Sequence, residues 1–233
     1  MMKILDRSYF SPALDLACDE ALLDAAEASE GGEVLRFWRP KNYFAVLGYS
    51  NAWKEEIKSR LPVYRRCSGG GAVLQGPGLL NYSLVLKIKP GVSDGIRSSN
   101  DFVMRKNRRA LEKVLKKKVR VQGHTDLTLG DLKFSGNSQR RKRKHYLFHG
   151  TFLLDFDLAR MERDLHIPAK QPGYRQNRPH VSFVTNIGIP EKRLKNALAE
   201  IWEAKTVLKK VPEKEIRELA KTRYSREDWN LKY

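Results

Sequence analysis

The chain's 233 residues are 41% hydrophobic and 31% charged, and 45 Lys and Arg against 27 Asp and Glu leave a net charge of +18. That length suits one domain of α/β size with a sizeable core, and the charge calls for an acidic partner, whether nucleic acid, membrane surface or protein. Two cysteines, Cys18 and Cys67, exclude a disulfide framework or a cysteine metal site, the polar start MMKILDRSYF excludes a secretory signal, and no window reaches the roughly 18 apolar residues of a membrane span. A soluble cytoplasmic protein in a reducing compartment is the expectation. The basic residues are scattered, with no zinc-finger spacing and no aromatic RNA-binding signature, so nucleic acid is not specifically indicated.

Residues 3–5 read as a short strand and Ser11-Pro12 as a helix start with Pro at the first helical position. Leu14, Ala17, Cys18, Ala21, Leu22 and Ala25 recur at helical spacing over 13–28, which turns Cys18 to the core as a small hydrophobe rather than a nucleophile. Gly31-Gly32 ends that helix. Residues 33–38 form an alternating strand with Leu35 and Phe37 on one face, and 43–48 (YFAVLG) suit a strand buried on both faces. Trp53-Lys54-Glu55 opens a short polar helix ending near Arg60, and 63–66 is the strand that delivers a glycine-rich stretch.

That stretch, RRCSGGGAVLQGPGLLNYSLVL over 65–86, is the most informative part of the chain. A Ser-Gly-Gly-Gly run behind two arginines lets backbone N–H groups approach a ligand and could cradle an anion. It matches neither the phosphate-loop pattern nor the dinucleotide fingerprint, and on residue chemistry alone a glycine-rich bend explains it equally well.

After a strand over 84–88 and a Pro90-Gly91 break, 98–116 read as a helix with Phe102, Val103, Leu111 and Leu115 on its apolar face, capped by Ser99-Asn100-Asp101 and closed by Lys116-Lys117-Lys118. Residues 119–121 are a short strand. Residues 127–129 and 132–134 make a hairpin around Gly130-Asp131, which 135–138 break, and QRRKRK (139–144) reads as a solvated loop. A strand over 145–155 and a helix over 157–166 follow. Residues 167–179, with three prolines and no periodicity, form a long loop of the kind that often serves function. Residues 191–208 are an amphipathic helix through Leu194, Leu198, Ile201 and Trp202, and 212–223 a final helix before a Trp229-Asn230 tail.

Two blocks carry a resemblance. RRxSGGGAV followed by GxLNYS, and then GHTDLTLGDLKFSGNSQRRKRKHYLFHGTFLLDFDL over 123–158, resemble in order the two signatures of the lipoate-protein ligase and octanoyltransferase family, whose second signature runs (N/T)DL, KxSGSAQ, HGTLLL. The WRP and VLGYSNAWKE runs are similar to the family as well, with Tyr49 where its pattern often has Arg. The resemblance implies an α+β fold of the biotin/lipoate protein ligase catalytic type, with mixed, mostly antiparallel sheets flanked by helices. It also implies a single domain over 1–233 without the C-terminal accessory domain of many lipoate ligases, so that a separate accessory subunit either completes the chain or is not needed.

By the same resemblance Lys133 is the catalytic lysine, able to hold an acyl carboxylate and stabilise charge on a transferring phosphoryl group. Arg66 would contact the adenylate phosphate or acyl carboxyl, and Arg65 either does so or makes a surface salt bridge. Ser68, Gly69, Gly70, Gly71 and Ala72 would form the ligand loop, and Asn81, Ser135, Gly136, His149 and Gly150 would lie near the ligand. Asp126 would hold the nucleotide or its magnesium. Gln75-Gly76-Pro77-Gly78-Leu79 departs from the family's AVxHDxGN. No cysteine stands where acyltransferases of the family keep theirs, so the implied reaction uses ATP and Mg2+ to activate lipoate or octanoate as an acyl-adenylate and passes the acyl group to a lysine of an acidic lipoyl carrier domain. The alternatives are a transferase working from a carrier thioester or a preformed adenylate, with Cys67 as the available thiol, and a noncatalytic lipoyl-domain binding protein.

Overall fold

The computed structural model describes residues 1–29 and 32–233. Strand β1 (Lys3–Asp6), helix α1 (Pro12–Ser29), strands β2 (Val34–Trp38) and β3 (Phe44–Leu47), helix α2 (Trp53–Glu56) and strands β4 (Val63–Arg65), β5 (Val73–Gln75) and β6 (Leu79–Lys87) make the first part. Helix α3 (Ile96–Leu115) leads to strands β7 (Arg120–Gln122), β8 (Asp126–Leu129), β9 (Leu132–Arg141) and β10 (His145–Leu153). Helices α4 (Leu158–Asp164), α5 (His180–Phe183) and α6 (Glu191–Ile201), strand β11 (Thr206–Val207) and helices α7 (Glu213–Leu219) and α8 (Glu227–Asn230) complete the chain. The strands build an eight-stranded sheet ordered β11-β1-β2-β6-β10-β9-β8-β7 and a three-stranded sheet ordered β4-β3-β5. Only the β11–β1, β1–β2 and β3–β4 pairs are parallel. The α+β architecture with mixed, mostly antiparallel sheets is the one the sequence led us to expect.

The central strands β6 and β10 are long because both of their faces are covered, so an apolar residue is accepted at nearly every position. Alternation then sorts them. Leu80, Tyr82, Leu84 and Leu86 of β6 join Tyr146, Phe148 and Phe152 of β10 in a core shared with α3 and α6. The other face carries Val85 and Leu147 under α1 and α7, and Leu79 and Leu153 against the small sheet. Each such large side chain contributes about 1.5–3 kcal/mol on burial, against about 0–1 kcal/mol for an exposed ion pair, so this spine and not the lysine-rich surface holds the fold. Asn81, His149 and Thr151 sit on the second face, where the period of two leaves them between those apolar clusters.

Several local expectations change in three dimensions. Residues 135–138 do not break the hairpin: β9 runs on to Arg141 beside β10, and the irregularity is a bulge, since β9 steps from Ser135 to Lys133 while β8 steps from Leu127 to Thr128. QRRKRK is accordingly half strand. Gln139 Oε1 accepts from Ser99 Oγ at 3.0 Å, Arg141 donates to the Ser93 and Asp94 carbonyls, and the Glu27 carboxylate takes the backbone N–H groups of Arg143, Lys144 and His145. Helix α3 begins two residues early, with Gly95 as cap and its N–H donated to Ser98 Oγ at 2.9 Å. Helix α6 stops at Ile201 because Glu203 takes φ +54°, and the chain returns as β11 along the sheet edge. Helix α2 ends at Glu56 rather than near Arg60, and α4 at Asp164. The last helix gives way at Ala220–Tyr224 to a π turn, and Trp229-Asn230 is no free tail: Asn230 Oδ1 accepts the Arg65 N–H at 2.9 Å and Trp229 Nε1 donates to the Arg65 carbonyl. The Gly31 end of α1 lies outside the described residues. Among the described residues no helix is long and apolar enough to cross a membrane.

Candidate active site

A cavity of about 930 Å3 opens between the second face of the large sheet, the glycine loop after β4 and the 166–179 segment. Trp38, Val46, Leu74, Leu153, Met161 and Leu165 give it an apolar part. Lys133, Asp126, Gly136, Gly70 and Gly71 give it a polar one.

The glycine loop is held by its own arginine. Gly70 has φ +89°, and a Cβ on Gly48 would lie 1.9 Å from the Gly70 carbonyl oxygen, so the loop can cross the end of β3 only over a glycine. Arg66 donates from Nη2 to the Gly69 and Gly71 carbonyls at 2.6 and 2.9 Å and from Nε to Ser68 Oγ at 3.1 Å, and Ser138 Oγ donates to the Gly69 carbonyl at 2.8 Å. Burial lowers the Arg66 pKa to about 10, which leaves it cationic near neutrality. Arg66 borders the cavity, but much of its donor capacity goes to shaping the loop. Arg65 is neither a ligand contact nor a surface ion pair. It is fully buried and donates to the carbonyls of Gly48, Asn51, Trp229 and Asn230, tying the loop's base to α8.

Behind the loop runs a chain of buried polar groups. Arg36 of β2 pairs with Asp15 and Asp19 of α1 at 2.5 and 2.6 Å, Asp19 Oδ2 meets His149 Nδ1 at 3.1 Å, and His149 Nε2 meets Ser68 Oγ at 2.6 Å. Burial by itself would raise the Asp19 carboxyl, but Arg36 and the His149 bond outweigh it and hold its pKa below the ordinary value. An ionised Asp19 requires a hydrogen on Nδ1. Ser68 Oγ, which accepts from Arg66, shares one hydrogen with Nε2 across their 2.6 Å contact. The three residues have the order of a serine–histidine–aspartate relay. Ser68 is fully buried and does not border the cavity, so this relay locks the loop to the sheet rather than presenting a nucleophile.

Lys133 comes to the site by the bulge. The extra residue, Phe134, lets Lys133 and Gly136, three apart, share a face, and the Lys133 side chain lies over Gly136, where a Cβ would stand 2.9 Å from Nζ. Its Nζ pairs with Asp126 Oδ1 at 2.8 Å, and the other oxygen of Asp126 accepts from Tyr174 Oη at 2.8 Å. Both carboxylate oxygens are thus engaged, one with the sheet lysine and one with the 166–179 segment.

Of the residues singled out from the sequence, Lys133, Arg66, Gly70, Gly71, Ala72, Asn81, Asp126, Ser135, Gly136, His149 and Gly150 border this one cavity, whereas buried Ser68 and exposed Gly69 do not. Asn81 is not open to a ligand: it exchanges hydrogen bonds with Gln75 and accepts from Thr151 Oγ1, so Gln75, which stands where the family has histidine, fills a closed amide cluster. Gly150 leaves room for the Asn137 side chain, and Ser135 is buried opposite Phe152. Sequence reasoning missed Asp15, Asp19 and Arg36, whose only signal is two carboxylates one turn apart on a helix that also carries Glu20, Asp24 and Glu27. It also missed Tyr174 and Arg175, inside the loop marked as functional without residues named. Among the described residues no group of three or more His, Cys, Asp or Glu could hold a metal ion. Cys67 is 4% exposed, outside the cavity wall, and burial pushes its thiol up to about 12.

Comparison with known proteins places the chain in a family. A lipoate-protein ligase A candidate from Aeropyrum pernix is 28% identical over 211 residues, 88% of this chain and 76% of that protein. Lipoate-protein ligase A subunit 1 of Thermoplasma acidophilum is 25% identical over 252 residues, 94% of this chain and 91% of the relative. The chain spans about half the length of the Mycoplasma genitalium, Mycoplasma pneumoniae and Staphylococcus aureus ligases it matches. The fold recurs in a crystal structure of lipoate-protein ligase A bound with ATP (TM-score 0.83, 22% identity, 99% of this chain and 98% of that one). It recurs also in the Thermoplasma acidophilum bi-partite ligase studied with its E2 lipoyl domain (0.83, 23%, 99% and 96%) and in a protein of the same organism with bound lipoic acid (0.81, 22%, 100% and 99%). The lipoyl protein ligase A/B catalytic domain family matches residues 11–200, and the chain belongs to that family.

Proposed function

We propose that this chain is a lipoate-protein ligase that activates lipoate, or octanoate, with ATP and transfers the acyl group to a lysine of an acidic lipoyl carrier domain in the cytoplasm, alone or with a separate accessory subunit. The observation that carries this reading is the meeting of Lys133 and the glycine loop across one cavity with an apolar end. An aliphatic chain fits the apolar end, which leaves its carboxylate at the polar one. There a carboxylate oxygen attacks the α-phosphorus and pyrophosphate leaves. The amine of the carrier lysine then attacks the acyl carbon, and AMP departs with the bridging oxygen. Lys133 exchanges Asp126 for the charge that builds on the phosphoryl oxygens, and the glycine loop, locked by Arg66 and the His149 relay, offers donors that need no rearrangement as that charge develops.

Among the described residues no group of three or more His, Cys, Asp or Glu makes a resident magnesium site. Asp126 pairs with Lys133 and Tyr174 until Lys133 turns to the phosphoryl oxygens, and Asp19 is spent on Arg36 and His149. Magnesium would enter on the nucleotide's phosphates. A thioester route needs a thiol at the cavity, and no observation favours one.

Incubating the chain with ATP, magnesium, lipoate and a lipoyl domain and weighing the domain by mass spectrometry tests the proposal. An ATP-dependent mass gain is expected, reduced about 10²–10³-fold in rate by Lys133→Ala. Gain only from an octanoyl carrier protein, or activity that survives Lys133→Ala, would sink it.

A further inference from the structure

One cation on the cavity wall lacks the partner its neighbours have. Arg175, 4% exposed, lies in the turn Gly173–Arg175 of the 166–179 segment. Its Nε donates to the Arg178 carbonyl at 3.1 Å and its guanidinium covers the Phe183 ring at 4.7 Å, which orients the plane. Nη2 is buried and has no hydrogen-bond partner, and the Glu162 and Asp126 carboxylates act on the group through space without forming an ion pair with it among the described residues. The other cations of the site have their charge answered: Arg36, whose Nε is likewise buried without a hydrogen bond, by Asp15 and Asp19, Lys133 by Asp126, and Arg66 by several loop carbonyls. A buried charged donor left unpaired is costly, so an anion in the cavity relieves it.

We infer that Arg175 binds the polyphosphate of the nucleotide, an inference that rests on the ATP-dependent reading above. Its neighbour Tyr174 bonds Asp126, which places the turn beside the Lys133 pair. Lys133 meets the charge where the acyl carboxylate joins the α-phosphoryl group. The phosphate chain carries several charges, and a planar guanidinium fork grips two phosphoryl oxygens at once where an ammonium is a point charge.

Calorimetric titration of the full chain with ATP, inorganic pyrophosphate and lipoate, each alone, tests this beside the ligase assay at varied ATP. Arg175→Met should weaken ATP and pyrophosphate about tenfold to a hundredfold and raise KM for ATP, leaving lipoate affinity and transfer from preformed lipoyl-AMP unchanged. Arg175→Lys should recover part of the loss, and it carries the test if the Met variant fails to fold. Unchanged polyphosphate binding in both variants, an equal loss for lipoate, or a wild type that binds no polyphosphate would overturn the inference. If the wild type binds pyrophosphate through Arg175 but never lipoylates with ATP, the inference stands and the proposed function falls. If it lipoylates and Arg175→Met keeps its KM for ATP, the reverse holds.

Discussion

Two charged clusters border the same cavity and are built on different terms. The Arg36–Asp15–Asp19–His149 cluster is almost wholly buried, with Arg36 and Asp19 side chains 0% and 3% exposed, while Lys133 and Asp126 are 28% and 14% exposed. Losing one partner of a buried ion pair costs about 3–5 kcal/mol, whereas a solvent-exposed pair is worth about 0.2–1 kcal/mol. The first cluster therefore cannot rearrange without unfolding something and acts as frame. The second, intermediate in exposure, can release its lysine to a substrate anion at small cost. A ligase needs both kinds: donors fixed in place around the phosphate, and one amine free to follow the charge.

The largest expected effect lies in the frame. Arg36→Met leaves Asp15 and Asp19 without their cation and should lower unfolding stability in urea by about 3–5 kcal/mol. It should also change the acid response. Asp19 is held below its ordinary pKa, so its contribution is full above the unfolded value of about 3.9 and is lost as pH falls through the lower folded value. The wild type should thus lose stability below about pH 4 more steeply than the variant. Equal acid slopes would mean that the cluster is not the frame. At the mobile cluster the effect is smaller. Tyr174→Phe removes one bond to Asp126, worth about 0.5–1.5 kcal/mol, and amides of 166–179 should exchange faster by about threefold to tenfold with little change in global stability. Unaltered exchange there would deny that Tyr174 ties the segment down. Smallest of all is Cys67, whose thiol burial pushes up to about 12. It should resist iodoacetamide at about pH 8 in the folded chain, and Cys67→Ser should ligate at the wild-type rate; a dead Ser variant would revive the thioester route.

Much of this was legible from the chain. Local period and composition marked β3 as a strand buried on both faces, β6 and β10 as strands and α1 and α3 as packed helices, because each of these is a property of a short window, whereas the triple glycine and Lys133 stood out as chemistry-bearing only through the two family signatures. The cavity's supporting groups were not. Arg36, Asp15 and Asp19 read as isolated charges until the fold sets α1 on β2, and Arg65 read as either a ligand contact or a surface ion pair until α8 closes over it. QRR looked like a solvated run because its partner strand begins only after the turn.

The amino-acid order alone determined which segments become strand or helix and which residues could do chemistry, since side-chain alternation and helical spacing act within a few residues. Tertiary structure alone decided that a bulge at Phe134 brings Lys133 over Gly136, that His149 is held by an aspartate 130 residues away, and that Arg175 Nη2 is buried without a hydrogen-bond partner. These depend on pairings between distant segments, whose energies exist only once burial has removed the water that would otherwise serve each charge.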